Sequence, residues 1–138
     1  MNVSEAEIII HFNEWLQAWN EHNLEEVMKL IHDDIVFENW TGVKIVGKRN
    51  LQRSWIPWFL NHGNFTFTEE KVFFDEKEQK MTFIWRLEWP SLIQSFKGKN
   101  EIRRGVDILQ FKDGKIIKKL TYSKTTIEID KMSISLEK

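Results

Sequence analysis

The hydrophobic pattern of this chain changes period once, near residue 64, and that switch limits the folds open to it. Before it, apolar residues recur every three or four positions; after it, they alternate. The first spacing puts apolar side chains on one face of a helix, and the second puts them on one face of a strand. Helices followed by a run of antiparallel strands define an α+β fold, with helices packed on one face of a sheet.

The helical half has clear punctuation. Ser4 with Glu7 forms a capping box, and Ile8, Phe12, Trp15, Leu16 and Trp19 make one apolar face through about Asn20. Asn23 with Glu26 repeats the capping logic for a short second helix carrying Leu24, Val27, Met28 and Ile31. His32-Asp33-Asp34 reads as its break. Ile35 to Trp40 reads as a strand, with Phe37 and Asn39 on one face and Val36, Glu38 and Trp40 on the other. Thr41-Gly42 turns the chain. A third helix is predicted from about Lys48 to Asn61, its apolar side formed by Leu51, Trp55, Trp58 and Phe59. Pro57 removes a backbone donor inside it, which predicts a kink or an early break. Gly63 suits its end.

In the strand half, Phe65 and Phe67 alternate with threonines, and Met81, Phe83, Trp85, Leu87 and Trp89 share one face. Pro90 ends that strand or marks an edge. Glu101 to Phe111 is the next strand. Asp113-Gly114 supplies the positive φ angles of a tight hairpin, and Ile116 to Thr126 returns antiparallel. Ile127 and Ile129 continue the alternation into a tail that pairs or frays. The whole chain, 1–138, reads as one domain with a core of about 5–126 and a tail of 127–138. Its sheet is expected to curl over three N-terminal helices as a cone-shaped half-barrel. A sheet that curls without closing leaves a pocket beneath it, and barrel mouths are favoured ligand sites.

Composition excludes several functions. With 20 basic and 21 acidic residues, the chain carries no field that would gather nucleic acid or an anionic membrane. No cysteine is present, which rules out disulfides, thiolate metal sites and thiol nucleophiles. That absence and an N-terminus unlike a signal peptide give a cytoplasmic expectation. No apolar stretch approaches the ~20 residues that span a bilayer. The histidines at 11, 22, 32 and 62 show no metal spacing and fall on helices or helix ends rather than pocket-facing strand positions, so neither metal nor cofactor is expected. What stands out is seven tryptophans beside ten phenylalanines.

Four stretches carry a resemblance: Trp19 to Val27, Asp33 to Glu38, the helix start at Gly47, and Arg104 to Ile116 with its Lys112-Asp113-Gly114-Lys115 turn. Over about residues 5–126 the chain resembles the nuclear transport factor 2-like superfamily, and within it the SnoaL-like proteins, related to polyketide cyclases and steroid isomerases. The resemblance implies the half-barrel; fold alone does not set activity. Steroid isomerases of this kind use a Tyr, an Asp base and an Asp kept neutral by apolar surroundings. The neutral-Asp position falls on Asp107, the base position on Asn39 and the Tyr position on Trp15. Asn39 has no basic lone pair, so that chemistry is disfavoured. The cyclases place a carboxylate on the last strand, where this chain has Thr121.

Strand parity, taken without bulges, puts Gly105, Asp107 and Leu109 on the pocket face, with Ile117, Lys119, Thr121 and Ser123 opposite them. Asp107 is the sharpest candidate: a buried carboxyl that donates a proton, or a structural group paired with Asn39, a Trp N–H, Lys119 or Arg103. Asn39 orients a ligand or satisfies Asp107. Trp15, Trp19, Phe37, Trp55, Phe59, Trp85, Trp89 and Thr121 form the candidate lining for a small apolar or aromatic molecule, or are core. Trp40 parity points outward. Arg103 is either a cation at the pocket mouth or a solvated strand-end charge. Ile102, Val106, Ile108, Ile116, Leu120 and Tyr122 make a mixed outer face suited to a homodimer. Three functions stay open at this point: a small-molecule binder; an isomerase, cyclase or dehydratase using Asp107 as general acid; and a non-catalytic homodimeric interaction domain.

Overall fold

A computed structural model describes residues 1–136; the last two residues of the expected tail lie outside them. Helix α1 (Glu5–Asn20) starts where Ser4 Oγ accepts the Glu7 N–H, and it buries Ile8, Phe12, Trp15, Ala18 and Trp19. At its end, the Asn20 side chain acts as a strand partner. Its amide donates to the Phe67 carbonyl at 2.8 Å and accepts the Phe67 N–H at 2.7 Å. Helix α2 (Leu24–Met28) is capped by Asn23, which accepts the Glu26 N–H.

Strand β1 (Ile31–Glu38) begins earlier than the sequence pattern indicates. His32-Asp33-Asp34, read as a break, is an irregular stretch inside the strand: pairing shifts between Ile31 and Val36, and the Asp34 N–H donates to His32 Nδ1. The short strand β2 (Lys44–Val46) pairs back on β1. Helix α3 (Lys48–Asn61) follows Gly47, whose φ of 94° suits a residue without a side chain. The helix continues through Pro57 to Asn61, so the early break does not occur.

Strands β3 (Thr66–Asp75), β4 (Lys80–Pro90), β5 (Asn100–Lys112) and β6 (Lys115–Ser123) form an antiparallel run, with a 3-10 turn at Gln94–Phe96 before β5. The order across the sheet is β2-β1-β6-β5-β4-β3. Strand β1 lies parallel to β6, so the sheet is mixed rather than wholly antiparallel. Alternation in a sequence reports which side a residue faces and carries nothing about strand direction. The tail pairs: β7 (Thr126–Ile129) joins the far half of β5, and β8 (Met132–Ser135) pairs with β7. The result is an α+β half-barrel, its concave face closed by three helices around a core that includes Phe12, Ile35, Leu51, Phe65, Phe83 and Leu109.

One irregularity reverses expected faces. Gln110 pairs with Lys118 and Phe111 with Ile116, so Ile117 is the extra residue of a bulge. Ile116, expected on the outer face, is therefore fully buried, and Ile117 leaves the inner face. Beyond the bulge the expected parity resumes, with Lys119 and Thr121 buried and Tyr122 exposed.

Gly105 matters for packing. It is the register partner of Trp85, and a Cβ there would lie 2.4 Å from the indole and 2.2 Å from the Tyr122 carbonyl oxygen. The Trp85 ring thus lies across a backbone position that only hydrogen can occupy. Gly105→Ala is expected to lower stability by ~1–3 kcal/mol or more through overpacking. Urea denaturation checks this; an unchanged midpoint would contradict the packing described.

Candidate functional site

The helices and the concave sheet face leave a cavity of about 270 Å³ between them. Helix α1 supplies Trp15, Leu16 and Trp19; helix α3 supplies Ser54, Trp55, Pro57, Trp58 and Asn61, followed by His62. The sheet supplies Phe37, Phe67, Phe83, Trp85, Leu87, Asp107, Lys119 and Thr121, and the β1–β2 turn supplies Asn39 and Trp40.

The aromatic wall is a continuous set of ring contacts. Trp19 meets Trp55 edge-on at 4.8 Å and stacks on Phe59 at 5.0 Å, and Phe37 meets Trp55 at 5.4 Å. Of the expected lining, Phe59 and Trp89 stand behind the wall rather than in it. Phe59 backs Trp19 and Phe65, and Trp89 backs Trp58 and His62. Trp40, assigned outward by parity, faces the cavity. Strand β1 ends at Glu38, and a turn closed by Asn39 N–H to Val43 and Gly42 N–H to Asn39 swings Trp40 onto Trp58 and Trp85. The Asn39 side chain accepts the Trp40 N–H at 2.8 Å; it serves that turn, and no bond joins it to Asp107.

The sheet wall holds a buried charged pair. Register places Asp107 beside Thr121 on β6 and Phe83 on β4, and places Lys119 between Phe37 on β1 and Leu109 on β5. Lys119 Nζ lies 3.0 Å from Asp107 Oδ2 and donates to Thr121 Oγ1 at 2.7 Å. Thr121 passes its own hydrogen to Asp107 Oδ1 at 2.8 Å, and Trp85 Nε1–H donates to the same oxygen at 3.2 Å. Asp107 and Lys119 are 3% and 6% exposed, so neither charge is met by bulk water. In every one of these contacts the Asp107 carboxyl accepts. The carboxyl is thus enclosed by Lys119, Thr121 and Trp85, two of the partners expected for it being a Trp N–H and Lys119.

Lysine has three donor hydrogens, and the contacts of Lys119 account for two oxygens. Otherwise its ammonium faces the rings of Phe37 at 4.9 Å and Trp55 at 5.9 Å. Three tryptophans of the lining, Trp15, Trp19 and Trp58, bury indole N–H groups that have no acceptor.

A second polar set sits toward the β5 start. Glu101, 1% exposed, accepts from Ser91 Oγ at 2.8 Å and from Arg103 Nε at 2.8 Å, while Arg103 spreads over Trp40 and Trp89. Arg103 is thus neither a solvated strand end nor an open cation. His62 adjoins this set and lines the cavity, although its place at a helix end gave no such sign in the sequence. Its Nδ1 bonds to the Trp58 carbonyl at 3.0 Å, and its ring stacks on Trp58 at 3.6 Å. Burial, the largest influence, holds its pKa below the ordinary histidine value against the opposing carbonyl contact. Among the described residues, no cluster of side chains is suited to hold a metal, and no helix is long and apolar enough to cross a membrane.

With this fold and cavity, residues 12–119 match the family described as SnoaL-like domain, and the chain belongs to that family. Solved structures repeat the architecture. A candidate polyketide cyclase from Xanthomonas campestris pv. campestris superposes with a TM-score of 0.74 at 10% identity, over 86% of this chain and 91% of that one. TerC co-crystallised with polyporic acid gives 0.72 at 13%, over 86% and 92%. A candidate ketosteroid isomerase from Kribbella flavida gives 0.66 at 17%, over 86% and 78%. At such identities the likeness is one of fold. No protein with a curated description matches the sequence.

The buried pair makes a definite energetic prediction. Removing one partner leaves the other charged and unpaired, which costs ~3–5 kcal/mol, whereas removing both costs much less. Asp107→Asn and Lys119→Met are each expected to destabilise strongly, and the double variant to recover much of the loss. A denaturation double-mutant cycle with purely additive losses would contradict the pairing.

Proposed function

We propose that this protein binds a small, flat, neutral molecule that carries a carbonyl oxygen, with its apolar body among the tryptophans and its oxygen toward Lys119. The observation that carries this reading is the Lys119 ammonium, which is buried in the cavity wall with one hydrogen facing only rings. Asp107 cancels its charge, so the wall offers a directed donor without a net field. Such a site favours a neutral acceptor over a carboxylate or phosphate, which would be buried without a counter-charge. Trp15, Trp19 and Trp58 of the same lining carry unpaired indole N–H groups, each covered by neighbouring atoms. An unmet buried donor costs ~1–3 kcal/mol, so ligand oxygens gain wherever they reach one. A volume of about 270 Å³ stands just below the ~300–1,000 Å³ range of ligand pockets, suited to one small ring system. The family membership and the TerC complex with polyporic acid support a small-molecule role.

α-Tetralone, a fused-ring ketone, is a suitable probe, and tetralin, the same skeleton without the oxygen, is its control. In isothermal titration calorimetry α-tetralone is expected to bind at least ~10-fold tighter than tetralin, as a charge-assisted hydrogen bond of ~1.5–3 kcal/mol implies. Equal affinities, or binding by neither, would remove the basis for the reading. Polyporic acid belongs in the same titration series.

The outer sheet face supports a second element of the proposal, self-association. Val106 pairs with Tyr122 and Ile108 with Leu120 on the convex side, and Tyr122 is 52% exposed. A two-fold pairing of these faces buries an apolar patch against its own copy. Light scattering after gel filtration is expected to give a dimer mass, and Ile108→Glu a monomer. A monomeric wild type at micromolar concentration would discard the dimer.

A further inference from the structure

One cavity residue plays no part in the reading above. His62 ends helix α3, lines the cavity and has a fixed tautomer. The Trp58 carbonyl only accepts, so the 3.0 Å contact requires the hydrogen on Nδ1. In the neutral ring, Nε2 then carries a bare lone pair, and it has no hydrogen-bond partner among the described residues. Stacking on Trp58 at 3.6 Å and a T-shaped contact with Trp89 at 5.5 Å hold the plane of the ring.

This sets His62 apart from the donors of the lining already described and places it with Ser54 and Asn61, whose side-chain oxygens also accept. Lys119 and the indoles of Trp15, Trp19 and Trp58 are donors. Asp107 already accepts from three donors, and the Asn39 oxygen is held by the Trp40 N–H. Neutral His62 presents an acceptor. We propose that His62 is the hydroxyl-recognising end of the cavity, its Nε2 accepting the O–H of a ring-hydroxylated ketone whose carbonyl faces Lys119. The inference rests on the carbonyl-binding reading and adds a second functional group to the ligand.

The ring must be neutral for this contact, because a protonated imidazole turns Nε2 into a donor. Burial lowers the His62 pKa, and Arg103 on β5 works in the same direction; the Trp58 carbonyl and Glu101 on β5 oppose them. With the pKa below the ordinary ~6.5, the acceptor is available at neutral pH and disappears as acid protonates the ring. Affinity for a hydroxylated ligand therefore falls with falling pH, and affinity for the parent ketone does not follow it.

The test compares α-tetralone with its ring-hydroxylated isomers by calorimetry at about pH 7 and at a lower pH where NMR shows the His62 ring protonated, which lies below the ordinary histidine value. At least one isomer is expected to bind ~3–10-fold tighter than α-tetralone at the higher pH, as one neutral hydrogen bond implies, and to lose that advantage at the lower. His62→Phe is expected to abolish the advantage at both pH values, read as the ratio of the two ligands' affinities within the variant, so that any change in α-tetralone binding from the altered cavity wall cancels. Nitrogen-15 NMR of the wild-type imidazole supplies a measurement independent of any variant, and is expected to report hydrogen on Nδ1 at neutral pH. The inference is overturned if no isomer exceeds α-tetralone, if the advantage survives at low pH or in His62→Phe, or if the hydrogen sits on Nε2. Binding by α-tetralone with no hydroxyl advantage sinks this inference alone. Binding by neither compound sinks it together with the carbonyl-binding reading.

Discussion

A carboxylate and an ammonium buried side by side in an aromatic interior set the terms for the rest of this structure. Neither Asp107 nor Lys119 is tolerable there alone, since an unpaired buried charge costs several kcal/mol. Each is placed by sheet register: Asp107 opposite Thr121, and Lys119 two pairs further along opposite Leu109 and beside Phe37 of the parallel neighbour. Thr121 and Trp85 complete the shell around Asp107. Trp85 reaches it because Gly105 leaves the indole room to lie across the strand. A glycine, a tryptophan, a threonine and two opposite charges on three neighbouring strands thus form one interdependent unit.

The two walls of the cavity divide the work. The helix wall is aromatic, and its polar content is mainly indole N–H, amide and imidazole. The sheet wall contributes the ion pair and Thr121. Strands hold their side chains in register through backbone hydrogen bonds, so the charged groups sit on the more constrained wall. Tryptophan brings large contact area with few rotatable bonds, which suits the helix wall to grip a flat surface.

Much of this was legible in the sequence where one physical signal acted alone. Helical spacing located Trp15, Trp19 and Trp55, and alternation located Trp85 and Asp107 on a shared face. The family resemblance supplied the half-barrel itself. Failures came where a local irregularity interrupted the period. The bulge at Ile117 exchanged its face with that of Ile116, and the Asn39 turn rotated Trp40 inward. Parallel pairing of β1 with β6 leaves no trace in alternation. His62 was overlooked because its position depends on where α3 ends in space and its tautomer on one carbonyl. Lys119 was read as a possible partner of Asp107, but a charged residue on a strand more often faces water, and only the three-strand register shows it enclosed.

The parallel pairing of β1 with β6 also has a consequence in time. Ile31 pairs with Ile116, so the first strand made must wait for nearly the last to find its neighbour. Antiparallel hairpins such as β5–β6 close locally, but this pairing must first overcome the closure entropy of a long loop. During synthesis the tryptophan-bearing helices therefore emerge before the wall that covers them, and their aromatic faces stay unburied until the C-terminal strands arrive. A nascent chain of this design depends on finishing before its exposed indoles find another partner.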